Sequence, residues 1–401
     1  MRVMVTFEAR LLKTKNGNVY SRGASIDLEG YLSVFDEVVV FARMEEVAQE
    51  KLDKFRIDGE NIRFFPLSYY VGPWQFLRQY RRLNNLVKLA LQEADAFILR
   101  VPGSVATLLW HQLKRKNIPY AVEVVGDPWD SLAPGGVKTI ARPLFRRILS
   151  RQLARQCHYA SVASYVTEYA LQKRYPAGGW TTHYSSVELS DDAIIDEVSL
   201  QKRIERLKAK SKSKGPWRIC YVGTIAQLYK APDVLIKACA SCINRGINLE
   251  LIMVGGGRFR PQLEQLAKKL GITKWVHFTG ILSKEKVFGE LDKADLYVLP
   301  SRTEGLPRSV IEAIARGLPC IGSTVGGFPE LLDTEDLVPP GDPKALVEKI
   351  SSIIVDKSRL EKMARRNLSS AHKYRKDKLD QRRKFAYEKL VEITKSKTLP
   401  E

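Results

Sequence analysis

Two carboxylates, Glu304 and Glu312, stand in the run SRTEGLPRSVIEAIARGLPCIG (301–322), with Gly305, Leu306 and Pro307 between the first of them and a helical pattern. Carboxylates accept hydrogen bonds from hydroxyls strongly, so two of them at a fixed separation can hold two polyhydroxylated groups. Pro307 suits the first position of a helix, where its missing N–H has no partner to lose. The amides of Arg308 and Ser309 then lie free at the helix start, a place that favours an anion such as phosphate. Glu312 falls about 7.5 Å further along the axis. A sugar, a diphosphate and a ribose laid in a line match that spacing. Taken alone, the same pair reads as a turn residue and a surface ion pair of Glu312 with Arg316 at i+4.

Two glycine loops flank the pair. In YVGTIAQLYKAPDVL, Gly223 lets backbone approach a ligand and Lys230 supplies a point charge for a diphosphate. Gly255-Gly256-Gly257-Arg258 turns tightly after a second apolar run, but Arg260 holds the place of the third glycine of a dinucleotide fingerprint. The following run, WVHFTG, does not end in the acidic residue that a dinucleotide ribose needs, which weighs against hydride transfer.

The elements that would position these loops come from apolar, β-branched runs alternating with helical patterns, the mark of parallel sheets with helices on both faces. Strands are expected at MRVMVTF, EVVVFAR, IRFFPL, AFILRVP, YAVEVVG and YASVASYVT, and again at WRICYVGTI, NLELIMVGGG, WVHFTG, ADLYVLPS and PCIGST. Helices are expected around 232–246, 261–270, 284–292, 307–317 and 344–355. Between the two series, QKRIERLKAKSKSKGP (201–216) is basic and ends in Gly-Pro, as a linker does. The fold class is therefore α/β: two doubly wound domains facing across a cleft, 1–200 and 217–375, with a helix at 376–401 crossing back to the first. In open parallel sheets the ligand lies beyond the carboxyl ends of the strands, where every loop above falls.

Residues 217–340 resemble the donor domain of the retaining glycosyltransferases of family 4, which have the GT-B fold of two Rossmann-like domains. The likeness rests on YVGT…K (221–230), LIMVGGG (251–257), VHFTGIL (276–282), ADLYVLPSRTEGLPRSVIEAIARGLPCIGSTVGGFPELL (294–332) and VPPGD (338–342). Glu304 and Glu312 match that family's E-x(7)-E motif. The resemblance implies that Glu304 binds donor-sugar hydroxyls as a catalytic-site residue and Glu312 the nucleotide ribose. Backbone around Ile281 and Leu282 would read the base, and Lys230 with the amides of Arg308 and Ser309 would hold the diphosphate; Gly223, Gly257, Gly305 and Leu306 complete the donor set. Thr224 departs from the family, which commonly has Arg there; Gln227 or Arg308 is the compensating candidate. In the first domain many members carry a His after the strand matching YAVEVV; here Asp127, in GDPWD, is the residue left to orient the sugar or the attacking hydroxyl, or else to cap the next turn. The loop FEARLLKTKNGNVYS, turning at Asn16-Gly17, would cover the acceptor, with Glu8, Arg10 and Asn16 as contacts.

Chain totals narrow the partners. The 401 residues exceed one ordinary core, and 44% hydrophobic with 27% charged residues is a soluble globular composition. The start, MRVMVTFEARLLKTK, lacks a signal-like apolar core and no run is long enough to span a bilayer, so a cytoplasmic location is expected. Five cysteines (157, 220, 239, 242, 320) fit a reducing compartment, and Cys239 and Cys242 lie in a helix interior rather than a redox turn. The net charge of +20 calls for an anionic partner. Residues 61–180 hold 17 Lys and Arg against 6 Asp and Glu, concentrated in GPWQFLRQYRRLNNLVKLAL and ARPLFRRILSRQLARQ. In the second, Arg142, Arg146, Arg147, Arg151 and Arg155 share a broad face opposite Leu144, Ile148 and Leu149, an interfacial pattern.

These features point to transfer of a sugar from a nucleotide diphosphate-sugar to a saccharide or lipid-linked acceptor at an anionic membrane surface, in exopolysaccharide, capsule or lipopolysaccharide synthesis. No cofactor, metal or nucleic acid is expected. A sugar phosphorylase or epimerase on the same fold, and a non-catalytic nucleotide-sugar binder, are the alternatives.

Overall fold

The β-branched runs become strands because both of their faces are covered: Val38, Val39, Val40 and Phe41 are all buried, as central parallel strands require. The computed structural model describes residues 1–22, 26–48, 55–132, 141–187, 189–210 and 215–398. The chain divides into two compact units, one of Met1–Asp127, Ile148–Tyr184 and Asp380–Glu401, the other of Pro128–Arg147 and Ser185–Leu379.

The first unit contains β1 (Arg2–Thr14), β2 (Val19–Ser21), β3 (Glu37–Val47), β4 (Phe55–Arg56), β5 (Ile62–Ser68), β6 (Ala96–Val101), β7 (Ala121–Val124), β8 (Val162–Tyr165) and β9 (Trp180–His183). Its parallel path runs β5-β3-β1-β6-β7-β8-β9, so the winding reverses at β1. The segment expected to be a loop over the acceptor is strand instead. Leu11 and Leu12 are both buried, so β1 continues beside β3 to Thr14 and returns antiparallel as β2. Asn16-Gly17 is the turn as expected, with Gly17 at φ 82° and the Thr14 amide donating to Asn18 O at 2.9 Å.

The second unit contains β10 (Trp217–Val222), β11 (Leu249–Val254), β12 (Val276–Gly280), β13 (Leu296–Val298), β14 (Cys320–Ser323) and β15 (Leu337–Val338). All are parallel in the order β12-β11-β10-β13-β14-β15, with the reversal between β10 and β13. The helices Pro232–Asn244, Arg260–Lys269, Lys284–Lys293, Arg308–Ala315 and Pro343–Val355 lie where the periodicity puts them. Each half is thus the doubly wound α/β sheet that the sequence implies. All five cysteines are free thiols and buried.

The segment expected to be a linker, 201–216, falls inside the second unit. Residues 201–210 complete a helix, Glu197–Lys210, and 211–214 lie outside the described residues. Leu200, Ile204 and Leu207 recur at one-turn spacing and are buried, the first two against Ala364 and Leu368. Arg203, itself buried, donates to Ala294 O at 2.9 Å and Leu291 O at 3.3 Å, closing the end of the helix Lys284–Lys293. The final helix, Lys376–Thr398, joins the first unit from Asp380 onward, where the Tyr387 hydroxyl donates to Glu123 at 2.9 Å.

Candidate active site

Adjacent parallel strands β10 and β13 deliver Lys230 and Glu304 to the same carboxyl edge of the second sheet. The Lys230 ammonium lies 2.6 Å from Glu304 Oε1, with the side chains 13% and 10% exposed. Ser301 Oγ donates to the same oxygen at 3.1 Å. The loop carrying Glu304 is fixed from one side by Arg302, which grips Asp233 in a two-pronged ion pair at 2.8 and 2.7 Å and also donates to Leu228 O at 2.7 Å. From the other side Gly326 and Gly327 press against it. A Cβ on Gly326, at φ +54°, would stand 2.0 Å from Glu304 O, and the Gly327 amide donates to Gly305 O at 2.6 Å. Leu306 is held there too, since a Cβ on Gly327 would stand 2.6 Å from its Cδ1.

The helix opens at Arg308, with Pro307 as its N-cap rather than its first helical residue. The first backbone bond is from the Val310 amide to Pro307 O at 3.1 Å, so the amides of Arg308 and Ser309 precede it. The Ser309 hydroxyl is engaged separately, accepting from Tyr297 at 2.7 Å. Glu312 sits on the next turn, partly buried. Burial holds its carboxyl above the usual carboxylate range, against the opposing pull of Arg308, Lys284 and Lys230. The surface pair with Arg316 does not form, because Arg316 grips Asp292 at 2.7 Å through two nitrogens. Glu312 is therefore left facing cations that a diphosphate would also meet.

The glycine loops pack by backbone contact. A Cβ on Gly257, at φ +153°, would stand 2.0 Å from Ala226 N, which forces glycine where this loop meets the one after β10. Gly223 lets the Lys230 stem pass, since a Cβ would come 2.5 Å from Lys230 Cδ. Thr224 is exposed, and its hydroxyl accepts from the Ala226 amide at 3.2 Å. Ile281 is 85% exposed beside Gly256, and Leu282 packs partly into the core. Gln227 and Arg308 are both exposed, and the Arg258 guanidinium donates to Ala226 O at 3.1 Å.

In the first unit the expected contacts have internal work. Asp127 is buried, bonded to Arg174 and accepting from the Tyr175 hydroxyl at 2.6 Å, so its carboxylate is engaged by side chains far along the chain. Glu8 accepts from the Val105 amide at 2.6 Å and pairs with Arg43 at 3.0 Å, satisfying the start of the helix Ser104–Arg115. Arg10 and Asn16 are exposed on the β1–β2 hairpin.

The spacing motif, its paired lysine and the interlocked glycine loops coincide with a known family. Residues 203–369 match the family model described as glycosyl transferases group 1. The chain carries a glycosyltransferase domain of that family. It is 28% identical over 386 residues to Protein CapJ of Staphylococcus aureus, covering 93% of each chain. With the amylovoran biosynthesis glycosyltransferase AmsK of Erwinia amylovora it shares 30% identity over 161 residues, 38% of this chain and 39% of that one. The solved structure of Anabaena Alr3699/HepE in complex with UDP-glucose superposes with a TM-score of 0.62 at 16% identity, over 99% of this chain and 100% of that one. That likeness establishes the GT-B fold.

Sequence reasoning did not reach three groups around the site: the Arg302–Asp233 pair, the Gly326-Gly327 brace and Tyr221. The doubled glycine in STVGGFPELL was a visible signal for the brace, because adjacent glycines after a strand mark close backbone approach. Nothing local in the sequence links Arg302 to Asp233, 69 residues away.

Proposed function

We propose that this glycosyltransferase moves a sugar, with retention, from a nucleotide diphosphate-sugar to a hydroxyl of a saccharide or lipid-linked saccharide in cell-surface polysaccharide synthesis. The carrying observation is the Lys230–Glu304 pair just before a helix that starts at Arg308 and carries Glu312 on its next turn. In the proposed transfer the bond between the anomeric carbon and the diphosphate oxygen breaks, its electron pair leaving with the diphosphate. The acceptor hydroxyl bonds to the same face of that carbon and gives its proton to the departing phosphate. Lys230 and the amides of Arg308 and Ser309 offset the charge that builds on the diphosphate. Glu304 orients the sugar hydroxyls, Glu312 the ribose, and backbone at Ile281 and Leu282 the base. Gly223, Gly257, Gly305 and Leu306 shape the bed. Arg308, or Arg258 held on Ala226 O of the same loop as Thr224, supplies in this scheme what an arginine at position 224 would.

Asp127 acts in this scheme through Arg174 and Tyr175, which it fixes, while Arg10 and Asn16 are offered to the acceptor. No metal takes part, and full activity in excess chelator is the check. The relative AmsK, named for amylovoran biosynthesis, supports a polysaccharide acceptor.

An anionic membrane surface on the cytoplasmic face is the proposed workplace. None of the described helices is long and apolar enough to cross a membrane. The helix Gly72–Ala90 carries Arg78, Arg81, Arg82 and Lys88 with no acidic residue, and presents Trp74 at 79% and Leu77 at 60% exposure. On the helix Arg142–His158 the apolar residues Leu144, Phe145, Ile148 and Leu149 are exposed among five arginines.

Screening purified protein against a panel of nucleotide-sugars for thermal stabilisation tests the donor assignment, and the anomeric configuration of the product, read by NMR, tests retention. A phosphorylase would need inorganic phosphate as acceptor, and a binder would give no product.

A further inference from the structure

The end of β10 holds a polar group with nothing to bond. Tyr221 is fully buried, and its hydroxyl has no hydrogen-bond partner among the described residues. Such an orphan is costly, and a native fold retains one where another state satisfies it. Its surroundings show which state. The hydroxyl lies 3.1 Å from the point where a Cβ on Gly223 would stand, and the same point is 2.5 Å from Lys230 Cδ. Tyr221, Gly223 and Lys230 thus converge on one spot, and the Glu304 charge is among the influences that keep the phenol protonated, after burial itself. Protonated, it can donate to a carboxylate.

Ligand-free, Glu304 is neutralised by Lys230. The donor proposed above needs both groups for different ends, the ammonium for phosphate and the carboxylate for sugar hydroxyls. When the diphosphate draws the ammonium away, a nearly buried carboxylate loses its counter-charge while the buried phenol that feels that charge still lacks an acceptor. Each deficit answers the other. We propose that Tyr221 is a positioning residue for the donor sugar: on donor binding its hydroxyl takes the place of Lys230 at Glu304 and keeps that carboxylate aimed at the sugar. The hand-over rests on the donor-site reading and involves no bond-making beyond this exchange of hydrogen bonds.

Tyr221→Phe removes the hydroxyl and nothing else. Because that group is unbonded in the free protein, the variant should melt at or above the wild-type temperature in the absence of ligand. Its affinity for whichever nucleotide-sugar stabilises the wild type should fall about tenfold, the worth of one hydrogen bond to a charged group. In a Glu304→Gln background, where no carboxylate charge needs an answer, the same substitution should have little further effect. A lower melting temperature of the free variant, undiminished nucleotide-sugar affinity, or an equal loss in the Glu304→Gln background would each overturn the hand-over. If the wild type itself binds no nucleotide-sugar, it is the donor-site reading that fails, and the two failures are told apart on the wild-type protein.

Discussion

Lys230 and Glu304 neutralise one another at the carboxyl edge of the second sheet, 2.6 Å apart and nearly buried, although 74 residues separate them in sequence. The proposed sugar diphosphate would meet both charges there, neither left uncompensated beforehand.

Removing one member exposes that relationship. Lys230→Met strands the Glu304 carboxylate and should lower unfolding stability by about 3 kcal/mol. The double variant Lys230→Met/Glu304→Gln should recover most of it while remaining inactive. Urea unfolding of the three proteins reads the difference.

Glu312 predicts a pH dependence. Burial raises its carboxyl above the ordinary range, so the folded chain holds that proton more tightly than the unfolded one. Its contribution to stability is complete below the ordinary carboxylate value of about 4.3 and is lost as pH rises through the raised value. Glu312→Gln should therefore melt above the wild type at pH 7 and converge with it in acid, while weakening binding of the nucleoside diphosphate. Melting curves taken from acid to neutral pH check the sign.

The glycine brace separates strain from clash. Gly271 (φ +73°) and Gly326 (φ +54°) both adopt the left-handed region, but a Cβ meets nothing within 4 Å at the first and Glu304 O at 2.0 Å at the second. Both alanine variants should lose about 1 kcal/mol of stability from backbone strain. Only Gly326→Ala should shift the Glu304 loop and lower kcat/KM, by about 100-fold.

How much of this was legible follows the range of the interactions. The glutamate spacing, the proline and the helix limits are local: the helix expected at 307–317 runs Arg308–Ala315, with Pro307 as its N-cap instead of its first helical residue. The hairpin after β1 looks like loop in the sequence because its Lys and Asn residues mask the buried Leu11 and Leu12, whose partners are in β3. Residues 201–210 of the helix Glu197–Lys210 look like linker in the sequence for the same reason: their charge conceals a three-residue apolar stripe, and Arg203 is buried on carbonyls about 90 residues away. Asp127 stood out as a lone loop acid, whereas its partners Arg174 and Tyr175 come from a distant turn that no spacing rule reaches.

The apolar tip of the helix Gly72–Ala90 predicts surface attachment. Trp74→Ser/Leu77→Ser should reduce sedimentation with vesicles containing anionic phospholipid by about tenfold while leaving nucleotide-sugar binding in solution intact. Vesicles of phosphatidylcholine alone should recruit neither protein strongly.

The donor line itself is most directly read by calorimetry of one variant with two ligands. Wild-type protein should bind a nucleotide-sugar and the corresponding nucleoside diphosphate; Glu304→Gln should keep the nucleoside diphosphate affinity within about threefold and lose most of the affinity and turnover that the sugar adds. Equal weakening of both ligands, or a fully active variant, would contradict the placement of the sugar at Glu304.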